Sequence, residues 1–172
     1  MKYDYQALYN KNAAFYHARP MAKLALKLAN ITFSWLFVAA YAVLWTYALW
    51  LQPLGPKEIV GISLPPCLAF LCSTALRLFF KRPRPYTENG ANITPLTQKK
   101  HADNASFPSR HLACAASIAM VFLPHYLFAG VALLAISLLL GYARFALGLH
   151  YPSDLLAGES IGIALGYLVF IV

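Results

Sequence analysis

The chain has 172 residues, room for one compact domain rather than two. Apolar residues make up 60% and charged residues 12%, against about 45–50% and about 25% in soluble domains, which excludes a disordered chain, a nucleic-acid-binding tail and a disulfide scaffold. The formal charge of +8 therefore points to phosphate or a phospholipid surface as partner, and the class is integral membrane protein.

The first 27 residues carry Lys2, Lys11, Arg19, Lys23 and Lys27, with Asp4 as the one acid, so neither a span nor a cleavable signal is expected there. Ala18 to Leu28 sets Lys23 and Lys27 one turn apart among Met21, Leu24, Ala25 and Leu28. That pattern predicts an amphipathic helix lying on the membrane surface. Leu28 to Leu51 is charge-free and carries Trp35, Trp45 and Trp50; it is the first predicted span. Gln52 to Lys57 reads as a turn. Ile59 to Leu76 is the second span, with a kink expected at Pro65-Pro66. From Arg77 to Arg110 the chain turns polar and holds Pro83, Pro85, Asn89-Gly90 and Pro95, a loop long enough to suggest function. His111 to Ala143 has no Lys, Arg, Asp or Glu, and Pro124-His125 divides it into a hairpin of two short spans. Pro152 to Val172 is the last span, opening with proline at a position that helices favour. The expectation is one domain over residues 1–172, an all-α polytopic membrane bundle. It has five transmembrane helices, an N-terminal surface segment over 1–27 and an active-site loop over 77–110.

The ionisable residues of the apolar part gather at helix ends. Arg77 closes the second span and Arg82-Pro83-Arg84-Pro85 follows it. Pro108-Ser109-Arg110-His111 opens the third, Arg144 closes the fourth, and His150 and Asp154 bracket the start of the fifth. The hairpin reading brings all of these to one membrane face, where ionisable groups mark a functional site by default. Guanidiniums from Arg77, Arg84 and Arg144 suit a tetrahedral dianion, because planar forks donate paired hydrogen bonds to phosphate oxygens. Ser109 sits where an N-cap belongs, so the amides of Ser109, Arg110 and His111 are expected to face an anion. Asp154, four residues after His150, is placed to accept a hydrogen bond from one ring nitrogen and leave the other as nucleophile. His111 is then available as general acid for the leaving oxygen.

Arg77-(six residues)-Arg84-Pro85, Pro108-Ser109-Arg110-His111 and Arg144-(five residues)-His150-(three residues)-Asp154 resemble, in order and spacing, the three motifs of the type 2 phosphatidic acid phosphatase family. The resemblance covers residues 59–172. It implies a metal-independent, cofactor-free membrane phosphatase that works through a phosphohistidine at His150, with His111 as proton donor and Asp154 as orienting carboxylate. Arg77, Arg84, Arg144 and Ser109 are then the phosphate binders. The departures are Arg77 for the motif's Lys, Arg110 for its Gly and Ala143 for its Ser, and Arg110 adds a fourth guanidinium within reach of substrate. The family pattern usually has six spans, and here the first is replaced by the N-terminal segment.

The substrates this implies are lipid phosphates or diphosphates: a polyprenyl diphosphate, phosphatidylglycerol phosphate or phosphatidic acid. Phosphotransfer to a lipid or sugar hydroxyl and non-catalytic binding of a lipid phosphate are the alternatives. Other polar residues read as structural. Lys81, Arg82, Lys99 and Lys100 are expected as interfacial charges, His101 and His125 as loop or interface residues, and Glu159 as part of helix packing. Cys67, Cys72 and Cys114 lie in apolar surroundings without metal-ligand spacing. Of 14 Lys and Arg residues, Lys57 alone lies opposite the site. That bias favours a cytoplasmic site, whereas members of the family more often face outward.

Overall fold

The computed structural model describes residues 2–50, 55–97 and 105–171; Leu51, turn residues 52–54, Lys99, Lys100, His101 and Val172 lie outside the described residues. The helices are α1 (Lys2–His17), α2 (Pro20–Trp50), α3 (Pro56–Phe80), α4 (Arg110–Phe122), α5 (Leu127–Ala146) and α6 (Pro152–Gly166), and a 3-10 turn, Tyr167–Phe170, extends α6. Among the described residues, four segments are long and apolar enough to cross a membrane: Pro20–Trp50, Pro56–Phe80, Leu127–Ala146 and Pro152–Phe170. The fifth expected span, α4, has 13 residues. At 1.5 Å per residue it covers only about 20 Å of a hydrocarbon layer about 30 Å thick.

The N-terminal third differs from expectation. No boundary separates a surface helix from the first span at Leu28: Pro20 opens a single helix of 31 residues. Proline starts helices well, and no residue between it and Trp50 breaks one. That helix is about 46 Å long, longer than a hydrocarbon layer about 30 Å thick, and Lys23 and Lys27 lie in its first turns. The preceding helix, α1, is a packed element with Tyr5, Tyr9, Ala13 and Tyr16 buried along one stripe.

That stripe covers the long polar segment. Tyr86, Ala91, Ile93 and Leu96 from the segment, and Ala143, Ala146, Leu147 and Leu149 from the α5–α6 corner, join it in one apolar cluster. Tyr9 Oη donates to the Thr94 carbonyl at 3.0 Å, and the Leu96 amide donates to the Leu147 carbonyl at 3.2 Å. The described part of the segment is thus held from both sides. At Gly90 a Cβ would lie 2.0 Å from the Arg84 carbonyl oxygen, so only glycine lets this turn fold back over Arg84.

A second cluster forms the bundle interior, with Phe37 and Leu44 of α2, Ile62 of α3, Leu112 and Ala119 of α4, and Leu133 and Leu140 of α5. Helix α3 continues through Pro65 and Pro66. Pro66 leaves the Ile62 carbonyl without its usual helical donor, and Tyr41 Oη of α2 supplies one at 3.0 Å.

Helix α4 lies at the centre, its residues buried from Leu112 to Phe122 apart from Cys114. Helix α6 approaches it closely because glycine faces it. A Cβ at Gly158 would sit 2.5 Å from the Ser109 carbonyl oxygen, and one at Gly162 would sit 2.4 Å from that of Ala113. Small residues of this kind let membrane helices meet backbone to backbone. This contact sets the start of α4, with His111, beside the start of α6, with Asp154.

Candidate active site

The site is built from the end of α3, the start of α4, the end of α5 and the corner leading into α6, all at one end of the bundle. Arg77, in the last turn of α3, donates from Nε to the Pro108 carbonyl at 2.9 Å. Arg84 is buried beneath the turn at Gly90 and donates from Nη1 to the Leu149 carbonyl at 3.3 Å. Arg144, in the last turn of α5, is buried and donates from Nη1 to Asn30 Oδ1 of α2 at 3.2 Å.

His150 is fully buried, and its Nδ1 lies 3.0 Å from the Ser106 carbonyl oxygen. A carbonyl only accepts, so Nδ1 carries the proton and the lone pair of the neutral ring sits on Nε2. Asp154 Oδ2 is 3.6 Å from Nδ1, too long for a hydrogen bond. The expected direct His150–Asp154 hydrogen bond is therefore replaced by the Ser106 carbonyl. The carboxylate is instead held by Ser106 Oγ at 2.5 Å, the Tyr151 amide at 3.0 Å and Arg82 Nη1 at 2.7 Å. The Tyr151 bond is a helix N-terminal cap, with Asp154 as the third residue of α6. Arg82, expected from the sequence as an interfacial charge, is also an ion-pair partner of Asp154.

Ser109 does occupy the N-cap of α4, but its hydroxyl makes no cap hydrogen bond. Its amide is spent on the Asp154 carbonyl at 2.9 Å and does not face an anion as expected. Among the described residues, four buried polar atoms of the motif residues at this corner have no hydrogen-bond partner: Arg77 Nη2, Ser109 Oγ, Arg144 Nε and His150 Nε2. Leaving one such atom unpaired costs about 1–3 kcal/mol. Arg77 Nη2, Arg144 Nε and Ser109 Oγ can donate to a ligand rich in acceptor oxygens, and His150 Nε2 brings a lone pair to the same corner.

Burial pushes the His150 imidazole down from its ordinary 6.5 to about 4; the Asp154 carboxylate pulls the other way, and the Arg144 and Arg84 guanidiniums add to the lowering. The ring is neutral across the physiological range. Below pH 6.5 an unfolded chain binds a proton here that the folded one refuses, so this group's contribution to stability falls as the pH drops towards 4. In histidine-labelled protein, the His150 nitrogen resonances are expected to show the Nδ1–H tautomer at pH 6. They should titrate near pH 4, and a midpoint at 6.5 would contradict this environment.

His111 is exposed in the first turn of α4, at the head of a cleft of about 280 Å³. Below it the cleft is lined by Cys114 and Ile118 of α4, Phe37 and Val38 of α2, and Phe70 of α3. Arg110 shares the mouth. Its guanidinium lies 4.9 Å over the Phe70 ring, and Nη1 is 3.5 Å from Thr74 Oγ1.

Residues 59–172 match the PAP2 superfamily. The chain belongs to this family. Over 137 residues it is 32% identical to undecaprenyl-diphosphatase BcrC of Bacillus subtilis (strain 168), a match covering 77% of this chain and 67% of that protein. With YbjG of Escherichia coli (strain K12) it shares 30% identity over 123 residues, which is 70% of this chain but 58% of the relative. The solved structure of Aquifex aeolicus LpxE superimposes with a TM-score of 0.63 at 26% identity, covering 96% of this chain and 94% of that one.

The PAP2 match begins near the start of α3, so α1 and α2 lie outside it. Asn30, which holds Arg144, comes from that outer part, as does the stripe that clamps the polar segment. Asn30 offers one signal in the sequence, an amide within an apolar run. Ser106 is a serine three residues before Ser109 with no distinguishing neighbours, and Arg82 is hidden among neighbouring cations. Glu159 lies deeper in the bundle, where it accepts a hydrogen bond from Ser137 and so ties α6 to α5, in keeping with a packing role. Ala143, in place of the motif's serine, is buried.

Proposed function

We propose that this PAP2 protein hydrolyses a polyprenyl diphosphate at the membrane surface, releasing inorganic phosphate and the lipid monophosphate. The observation that carries the phosphatase reading is the set of buried, unpaired polar atoms that joins His150 Nε2 to Arg77 Nη2, Arg144 Nε and Ser109 Oγ. Arg77, Arg84, Arg144 and Ser109 hold the terminal phosphoryl group, and their charge stabilises the five-coordinate transition state. His150 Nε2 forms a bond to phosphorus as the bond to the bridging oxygen breaks. His111 is placed to protonate that oxygen where it leaves as an alkoxide, a proton that a departing lipid monophosphate does not need, and takes a proton from the water that releases phosphate from His150.

Two features favour a lipid diphosphate. The cleft below His111 offers an apolar path for a chain leaving the headgroup. Arg110 stands at its mouth, where a second phosphoryl group lying between His111 and the chain would meet it. The two BcrC- and YbjG-type relatives point the same way, since the former is an undecaprenyl-diphosphatase.

A phosphate-release screen of purified protein against undecaprenyl diphosphate, phosphatidylglycerol phosphate and phosphatidic acid tests this reading. The diphosphate is expected to give the highest kcat/KM. Arg110→Gly should raise KM for the diphosphate by about tenfold, the value of roughly one charge-assisted contact, with a much smaller effect on phosphatidic acid. Equal effects on both substrates would remove Arg110 from the reading. The arginines bring the positive charge that a divalent ion would otherwise supply, so activity should survive EDTA, while vanadate should inhibit.

The protein is a multi-pass membrane protein, and we place it in the cell membrane with the site on the cytoplasmic side. With the candidate phosphate ligands Arg77, Arg84 and Arg144 set aside, ten Lys and Arg residues remain on the site side against Lys57 on the other. In a background lacking Cys67, Cys72 and Cys114, Lys57→Cys should react with an impermeant thiol reagent on intact cells. Glu88→Cys should react only after permeabilisation. The reverse pattern would place the site outside.

A further inference from the structure

The nucleophile is aimed by Arg82 and Ser106, neither of them a residue that the three motifs specify. The Ser106 amide donates to the Arg82 carbonyl at 3.0 Å, which pins the backbone of one segment to the other. From that position the Ser106 carbonyl accepts from His150 Nδ1 and the Ser106 hydroxyl donates to Asp154 Oδ2. Arg82 closes the ring from the other side, with Nη1 at 2.7 Å from Asp154 Oδ1 and 2.8 Å from Ser153 Oγ. Its guanidinium also lies 4.3 Å over the Tyr151 ring, which restricts its swing.

We infer that Arg82 and Ser106 are positioning residues for phosphoryl transfer: the Ser106 carbonyl selects the reactive tautomer of His150, and the Arg82–Asp154 ion pair holds Ser106 in place to do so. This rests on the reading of His150 as nucleophile. A neutral imidazole has one lone pair, and it lies on Nε2 only while Nδ1 carries the proton. The carbonyl rewards that tautomer alone. Asp154 Oδ2, at 3.6 Å, acts on the ring through Ser106 and through its charge. Arg82 differs in kind from Arg77 and Arg144. Those present buried, unpaired nitrogens, whereas Arg82 Nη1 is committed to two protein oxygens. Losing Arg82 should therefore slow the chemical step and leave substrate binding largely intact.

The test compares Arg82→Gln, Arg82→Lys, Ser106→Ala and the double variant Arg82→Gln/Ser106→Ala, each purified and checked by thermal melting. Arg82→Gln should lower kcat by about 10- to 100-fold, as loss of an orienting partner commonly does, with KM within about threefold. Arg82→Lys keeps a cation for Asp154 and should recover most of that loss. Ser106→Ala should lower kcat similarly, and the double variant should lose less than the product of the single losses, because both act on one carboxylate. In histidine-labelled Arg82→Gln, the His150 nitrogen signals should show a mixture of tautomers where the parent shows one.

A rise in KM at unchanged kcat would make Arg82 a substrate ligand and overturn the inference, as would multiplicative effects in the double variant or an unchanged tautomer. If Arg82→Gln does not fold, Ser106→Ala carries the same kcat, KM and tautomer comparison. Labelled phosphate trapped on His150 of the unaltered protein tests the underlying reading separately. Label found elsewhere defeats that reading, whereas label on His150 with wild-type-like Arg82 and Ser106 variants defeats only the inference.

Discussion

His150→Ala is expected to stop phosphate release and to leave no acid-labile phosphoenzyme. Among the described residues of the corner, no other group combines a basic lone pair with this placement. His150 Nε2 is buried, unpaired and neutral, while Ser109 Oγ, also buried and unpaired, has no base bonded to it. With the nucleophile gone, the arginines still bind the phosphoryl group and still stabilise charge. Water then has to attack unaided. By comparison with enzymes that lose a covalent nucleophile, turnover should drop by roughly 10⁴-fold or more. KM should change little if binding rests on Arg77, Arg84 and Arg144, as proposed. The measurement is a brief pulse with terminally labelled lipid diphosphate, an acid or base quench, and recovery of protein-bound label. Label that is alkali-stable and acid-labile marks phosphohistidine. Turnover within tenfold of the parent, or label retained in His150→Ala, would show that another group attacks phosphorus.

The chemistry of the site was more legible in the sequence than its support. Charge at the ends of apolar runs is conspicuous, because a membrane tolerates ionisable groups only where they are used or paired. Arg77, Arg84, Arg144, His150 and Asp154 stand out for that reason, and Pro124 marks the hairpin that returns the chain to the same face. The span limits near Arg77, His111 and Pro152 likewise follow from where polar residues interrupt apolar ones. Helix α4 shows the limit of that reasoning. Its composition reads as a span, but Ser109 and Phe122 bound a helix of 13 residues that stays central by being surrounded, with α6 pressed on it through Gly158 and Gly162.

What stayed hidden involves contacts between segments far apart in the chain. Asn30 meets Arg144 across 114 residues, and Tyr9 meets Thr94 across 85. Neither pairing leaves a local pattern beyond a polar residue in an apolar run, or a tyrosine stripe on a basic helix. The stripe Tyr5, Tyr9, Ala13 and Tyr16 has helical period and does announce a buried face. The cations beside it favour a surface reading, and only tertiary packing decides between them. Asp154 illustrates a finer limit. The four-residue spacing places it near His150, as expected, but spacing along a helix cannot reveal that the Ser106 carbonyl, 44 residues away, takes the ring proton's hydrogen bond at shorter range.

The other large effect is expected at His111, and its size should depend on the leaving group. His111 stands at the mouth of the apolar cleft, where the bridging oxygen between phosphoryl group and lipid would lie. A departing alkoxide is a strong base and needs its proton in the transition state; an aryl oxide or a phosphate monoester is a far weaker base and departs without one. General acid catalysis contributes typically about 10²–10⁴-fold. His111→Ala should therefore lower kcat/KM for phosphatidic acid by an amount in that range. It should lower kcat/KM for p-nitrophenyl phosphate, and for a polyprenyl diphosphate, by about tenfold or less. The second step distinguishes the roles further. Water attacks the phosphohistidine with His111 as base, so with the aryl substrate the variant should release nitrophenol in a burst and accumulate phosphoenzyme on His150. An excess of phosphoenzyme over the parent, together with the unequal losses, identifies His111 as the proton carrier in both directions. Equal losses on all three substrates without a burst would mean that His111 binds the phosphoryl group instead, and label on His111 would reverse the two histidines' parts.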